Sequence, residues 1–346
     1  MRIANVDIAT NNRPFIIAEM SGNHNQSLER ALQIVKAAAE AGAHAIKLQT
    51  YTPDTLTIDH KGGLFDINDE QSLWKGRNLY ELYKEAMTPY EWHKPIFEYA
   101  KELGVLCFST PFDEAAVDML DELGAPCHKI ASFENNHHPL LRKIAKTGKP
   151  VIMSTGISSL SDINESVGVL RSNGCQDLAL LKCTSSYPSS PENTNILTIP
   201  HMRAMFKCEV GLSDHTMGVG AAVAAVALGA RIIEKHFCLS RAEGGVDSAF
   251  SLEPAEFKQL VIETERAFLS LGEVQYGIMK AEEKSLRYKR SIYVVKDIQE
   301  GEVLTAENIR IIRPGDGLAP KYYERLLGRA SKQKLLRGTP LTWELI

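Results

Sequence analysis

Residues 209–237, EVGLSDHTMGVGAAVAAVALGARIIEKHF, decide the fold. A short run, EVGLSD (209–214), leads into a Gly/Ala-rich apolar stretch from Val219 to Leu228, and a second β-branched run, IIEKHF (232–237), follows at once. Two strand-like runs joined by one helix-length segment form a βαβ unit, which sets the strands parallel. Outward from this stretch the same alternation recurs through FIIAEM (15–20), AIKLQT (45–50), VLCFST (105–110), CHKIAS (127–132), PVIMST (150–155) and LALLKCTS (178–185). Eight such units predict an α/β fold closed as a (β/α)8 TIM barrel, with reactive groups at the C-terminal ends of its strands. A doubly wound open sheet is the alternative.

Helix signals fall between the strands. Ser27 stands before LERALQIVKAAAEAG, which Gly42 closes; Thr88-Pro89-Tyr90-Glu91 reads as a capping box with proline at the first helical position; Pro254 opens the eighth helix. The connection 51–87 is far longer than a strand-to-helix turn needs and is expected to be a lid or an interface. After Gly272 the alternation stops. The expected organisation is a barrel over 1–272, a charged linker over 273–286 and a small β-rich domain over 287–346. Within that domain KDIQEGEVLTAENI and QKLLRGTPLTWELI read as two related strand-turn-strand units.

The 346 residues carry 44% hydrophobic and 24% charged side chains, enough for a large core and unlike a disordered chain. With 39 Lys plus Arg against 43 Asp plus Glu and no basic block, nucleic acid is not an expected partner. The cysteines (Cys107, Cys127, Cys175, Cys183, Cys208, Cys238) form no C-x-x-C pair and read as reduced thiols, so the expected location is cytoplasmic. Neither the N-terminal residues nor Val219–Leu228 have the length and apolarity of a signal or a membrane span, so no membrane association is expected.

Polar residues gather where these strands end: Glu19, Lys47 and Gln49, Thr110, Lys129 and Ser132, Ser154, Ser185 and Tyr187, Ser213 and His215, Glu234 and His236. Strand alternation points Lys47 with Gln49, Ser213 with His215 and Glu234 with His236 to one face, inward in a barrel. His215 and His236 then sit at equal heights on neighbouring strands. Two readings stay open for them, a shared divalent metal with free positions and a pair of buried, hydrogen-bonded histidines. The remaining histidines, including His137-His138, are expected to be solvated. Lys47 and Lys129 lie inside apolar strands, where a cation needs an anionic partner. That partner is either a small phosphate- or carboxylate-bearing substrate, with hydroxyls of Thr110, Ser132, Ser154 and Ser213 completing the cradle, or Glu19 and Glu234 in structural ion pairs.

Taken together, AEMSGNHN (18–25), KLQTYTPDTL (47–56), FSTPFD (108–113), KIASFE (129–134), MSTG (153–156), KCTSSYP (182–188), GLSDHT (211–216) and EKHF (234–237) resemble the sialic acid (nonulosonate) synthase family, over nearly the whole chain. SLWKGRNLYELYKEAMTPYEWHKPIFE and VLCFSTPF are more similar to its pseudaminate branch than to the neuraminate or legionaminate branches. The resemblance implies a barrel joined to an antifreeze-like SAF domain, and a transferase that condenses phosphoenolpyruvate with an amino-sugar aldehyde. It implies a divalent metal on His215 and His236, Mn2+ first, with Mg2+ or Co2+ as alternatives. It places Lys47, Thr110, Lys129, Ser132, Ser154, Ser185 and Ser213 around phosphoenolpyruvate. Gln49, Tyr187 and Asp247 fall on the sugar, as does Arg313 from the second domain of a partner in a domain-swapped homodimer. Glu19 or Glu234 is expected to move protons, beside Lys47 and Lys129 as stabilisers of charge. Ser185 stands where the neuraminate branch tends to carry Asn, and Gln26 where relatives often carry Gly.

Overall fold

Short apolar runs rich in β-branched residues form strands buried on both sides, whereas the Gly/Ala-rich run from Val219 to Leu228 forms a helix. The computed structural model describes residues 1–9, 12–70 and 72–346 and divides into the units Met1–Gly272 and Glu273–Ile346. After a two-stranded antiparallel hairpin, β1 (Arg2–Ile3) and β2 (Val6–Asp7), the first unit builds β3 (Phe15–Glu19), β4 (Ala45–Thr50), β5 (Leu106–Pro111) and β6 (His128–Ile130). β7 (Val151–Ser154), β8 (Leu178–Cys183), β9 (Glu209–Asp214) and β10 (Ile232–His236) complete a closed parallel barrel, which shuts where β10 pairs with β3. The barrel expectation holds, and the open sheet does not.

Helices over 28–40, 90–102, 114–122, 138–146, 160–172, 198–206, 220–227 and 254–270 cover the outside, and an apolar layer between them and the sheet includes Ile34, Ile46, Leu140, Leu180 and Phe257. A second core fills the lower barrel. Phe15, Ile17, Ala45, Phe108, Cys127, Ile152, Leu181 and Ile232 point inward there, and Ile3 and Ile8 of the hairpin segment pack against them. Gly211 belongs to the same layer and must be glycine, because a Cβ would lie 2.2 Å from the Ile232 carbonyl oxygen. The hairpin had no expectation attached to it.

Ser27 caps the helix 28–40 as its position suggests, accepting from the Arg30 amide. The capping box at Thr88 does not form. The helix begins at Tyr90 with Pro89 as its cap, and the buried Thr88 hydroxyl instead meets His24 Nε2 at 3.4 Å. His24, His93 and His128 are fully buried, each with a hydrogen-bond partner, so the expectation of solvated histidines fails for these three. Residues 51–87 hold short helices at Pro53–Leu56 and Leu79–Ala86. All the cysteines are free thiols. Among the described residues no helix is long and apolar enough to cross a membrane.

The second unit pairs β11 (Ser291–Val294) with β12 (Ile309–Ile312) around Ile292, Val294, Ile298, Leu304, Leu326, Leu335 and Leu341, and residues 280–288 form 3-10 turns. Ile298 and Leu335 hold equivalent places in the two related sequence units. Each donates its amide to the other's carbonyl at 2.9 Å, so the repeat is also a pairing.

Candidate active site

Strand alternation sets one inward side chain above another, and every barrel strand turns polar one step above the lower core. Glu19 follows Ile17, Lys47 follows Ala45, Thr110 follows Phe108, Lys129 follows Cys127, Ser154 follows Ile152, Cys183 follows Leu181, Ser213 follows Gly211 and Glu234 follows Ile232. Lys47 Nζ lies 2.8 Å from Glu19 Oε2, 3.3 Å from Glu234 Oε1 and 3.4 Å from Thr110 Oγ1. Ser213 donates to Glu234 at 3.0 Å, and Gln49 donates to Glu19 and to Ser21, both at 3.1 Å. The structural ion pair read from the sequence is therefore present for Lys47. Lys129 differs: its Nζ donates to Ser154 Oγ at 2.7 Å, and Glu234 stands 3.9 Å away.

Past the strand ends, Ser132 accepts from the Gly156 amide at 3.0 Å. A Cβ on Gly156 would lie 2.3 Å from Ser185 Oγ and 2.8 Å from Ser132 Oγ, so the glycine keeps open a small space walled by hydroxyls. His215 and His236 meet with ring centroids 5.4 Å apart, under Tyr187 (4.4 Å from His215) and Phe250 (4.8 Å from His236). Asp247 accepts from Ser21 and stands 3.8 Å from His236 Nδ1. Every barrel residue singled out in the sequence is thus brought to one mouth. Arg313 lies in the second unit, exposed, just after β12.

Burial sets the electrostatics. It pushes the Glu19 carboxyl up to about 7 against the pull of Lys47, with the Glu234 charge adding to the rise. Glu234 is buried as deeply, but Lys129 and Lys47 outweigh that burial and hold it below the usual carboxylate range. Burial, helped by the charge of Lys47, brings Lys129 down to about 8.

Sequence reasoning missed several groups here. Glu134, on the 3-10 turn after β6, is pushed by burial up to about 7 against Lys129, and its Oε2 makes no hydrogen bond. The signal was present in KIASFE, two residues beyond Ser132. Trp74 of the long connection donates to the Val246 carbonyl at 2.9 Å and lies 6.0 Å from the Tyr187 ring, closing the connection over the mouth. Gln26, by contrast, was noted in the sequence, and it has φ +53, the left-handed region that favours glycine. It is held there by side-chain bonds to the Glu85 and Met87 carbonyls, both 2.8 Å.

The donor set fits a divalent cation. His215 Nδ1 donates to the Thr184 carbonyl at 2.9 Å, so the neutral ring carries its lone pair on Nε2, and buried His236 Nδ1 and Glu234 Oε2 make no hydrogen bond. Among the described residues no cluster of three or more His, Cys, Asp or Glu side chains is gathered as a metal site.

A parallel barrel with paired lysines, carboxylates and imidazoles at its C-terminal mouth is an enzyme of the (β/α)8 class. The NeuB family model matches residues 34–276 and the SAF domain model residues 289–346. The chain belongs to the NeuB family. It is 45% identical to the pseudaminic acid synthase of Campylobacter jejuni over 99% of this chain and 98% of that protein, and 43% identical to that of Helicobacter pylori over 95% and 96%. An N,N'-diacetyllegionaminic acid synthase of Campylobacter jejuni is 36% identical over 92% and 95%. Among solved structures, the N-acetylneuraminic acid synthetase of Leptospira borgpetersenii in complex with citrate superposes with a TM-score of 0.74 at 33% identity, covering 83% of this chain and 95% of that one. The resemblance read from the sequence, to the family and to its pseudaminate branch, is borne out.

Proposed function

We propose that this chain performs the activity for which its Campylobacter and Helicobacter relatives are named. Phosphoenolpyruvate condenses with the open-chain aldehyde of 2,4-diacetamido-2,4,6-trideoxy-β-L-altropyranose, giving pseudaminic acid and inorganic phosphate. The observation that supports this best is the juxtaposition of Lys47, Lys129 and the hydroxyls of Thr110, Ser132, Ser154, Ser185 and Ser213, a dianion's cradle, with an imidazole pair. C3 of phosphoenolpyruvate bonds to the aldehyde carbon, whose oxygen takes a proton. Water adds at C2, and the C2–O bond to phosphate breaks. Lys47 and Lys129 stabilise the charge that gathers on phosphate. Glu19 and Glu134, both held near 7 by burial, are suited to exchange protons, and Glu234, held low, to keep its charge beside Lys47 and Lys129. His215 and His236 would hold the divalent cation, Mn2+ before Mg2+ or Co2+, and the cation supplies Lewis acidity toward the aldehyde oxygen when bound.

Gln49, Tyr187 and Asp247 take the sugar within the barrel of residues 1–272. The segment 273–286 links it to the domain 287–346, whose Arg313 reaches the site of a partner in a domain-swapped homodimer. Mixing an Arg313→Ala chain with a Lys129→Met chain tests that supply, since restored activity requires shared sites.

The deciding experiment is phosphate release from phosphoenolpyruvate with Mn2+ and after chelation, offering the altrose sugar, its legionaminate-precursor relative and N-acetylmannosamine in parallel. Release with the altrose sugar alone supports the reading. Release with another sugar alone moves the chain to a legionaminate or neuraminate synthase, and silence with all would favour a pyruvate aldolase or a sugar-binding protein.

A further inference from the structure

The two imidazoles lie on neighbouring strands, yet no backbone pairing joins them. The β9–β10 ladder ends at the Lys235–Asp214 pair, one residue short of both histidines. Beyond it the two segments lean away from each other. His236 pairs with Glu19 of β3, whereas the His215 carbonyl accepts from the Ser189 amide at 2.9 Å and Thr216 bridges to Ser189.

What spans the gap is a network on the outer face of the sheet. Lys235 Nζ donates to Asp214 Oδ2 at 2.7 Å and to the Thr216 carbonyl at 2.6 Å. Asp214 Oδ1 in turn accepts from the Thr216 amide at 2.9 Å and its hydroxyl at 2.8 Å. Each of the three residues is no more than 2% exposed. The charges cannot touch a substrate, because alternation turns them away from the barrel interior. Nor is stability a sufficient account, since a buried ion pair is often matched or bettered by apolar residues of similar volume, and its best-attested use is to fix register.

We propose that the Lys235–Asp214–Thr216 network is a positioning device that sets the separation of His215 and His236, and through it the affinity for a divalent cation. This rests on the reading that those imidazoles hold a cation. His215 is flanked by Asp214 and Thr216, and His236 by Lys235, so the bonds grip the backbone on both sides of one imidazole and tie it to the residue beside the other.

The test is Mn2+ binding to the full chain, without substrates, by titration calorimetry, with the thermal midpoint of the metal-free protein read alongside. Lys235→Met is expected to weaken Mn2+ binding about 10- to 100-fold, the range for groups that orient metal ligands from behind. The double variant Lys235→Met/Asp214→Leu restores an apolar fit without the tether and is expected to weaken it similarly. Thr216→Val, an isosteric loss of one bond, should cost about three-fold. If Lys235→Met does not fold, the double variant and Thr216→Val carry the test. Affinity within two-fold of wild type in the folded variants overturns the proposal, even if their midpoints fall, since that pattern belongs to a purely structural pair. Wild-type protein that binds no Mn2+ would instead sink the metal reading itself.

Discussion

The lower and upper halves of the barrel interior are made by the same eight strands and have opposite chemistry. Below lie Ile17, Phe108, Ile152, Leu181 and Ile232, sealed by Ile3 and Ile8; one side-chain step above lie Glu19, Thr110, Ser154, Cys183 and Glu234. The boundary is about 7 Å deep, the rise of two strand residues. A dry apolar floor directly beneath a charged layer explains why burial is the first cause of the shifts at Glu19 and Lys129. The floor holds the barrel together, and it also sets the acidity of the layer it supports.

Lys129→Met should separate the halves most sharply. A cation at a depressed pKa contributes to turnover rather than to folding, so kcat/KM should fall by about a thousand-fold or more, roughly 4 kcal/mol, while the unfolding midpoint holds or rises. Retention of a tenth of the activity would break the division. Phe108→Ala, in the floor, should do the reverse, costing about 3–5 kcal/mol in denaturant unfolding with kcat per folded molecule within about three-fold. Collapse of kcat in that variant would show that the floor shapes the chemistry directly.

Glu134→Gln sharpens the comparison through pH. The folded chain binds this proton more tightly than the unfolded one, so stability is full below about 4.5 and declines as pH rises to about 7, by about 3 kcal/mol at most. The Gln variant should lose that slope in unfolding curves taken across the range, and an unchanged slope would place the titration elsewhere. The smallest effect is expected from Trp74→Ala, at the rim. Opening the clasp to Val246 should reduce the preference for the altrose sugar over N-acetylmannosamine about ten-fold, near 1.4 kcal/mol, as a ratio of kcat/KM values. An unchanged ratio would leave residues 51–87 as a cover with no part in selection.

The strands were legible because two physical demands coincide on them. Burial on both sides makes the run apolar, and the mouth makes its end polar, so AIKLQT and EVGLSD could be bounded to the residue. The first hairpin was not legible, since two-residue strands carry no period and Ile3 and Ile8 matter only through the floor they meet. Thr88 misled because its hydroxyl met a buried histidine from another segment, a tertiary contact no local motif encodes. Glu134 was overlooked because it follows its strand on a turn, outside the alternation that pointed to the rest. Asp214 and Lys235 did leave a signal, as opposite charges on the outward face of otherwise apolar neighbouring strands.

The seam between β3 and β10 has a bearing on how the chain is made. It joins Phe15 to Ile232 and Glu19 to His236, roughly two hundred residues apart, so it is the slow, non-local contact of this fold. While the chain emerges from a ribosome, β3 has β4 on one edge and nothing on the other until the last barrel strand has been synthesised. That final stitch also brings His236 beside His215 and Glu234 beside Lys47. Closing the ring and completing the reactive layer are therefore one event, because the strand that shuts the barrel is also the one that carries Glu234 and His236.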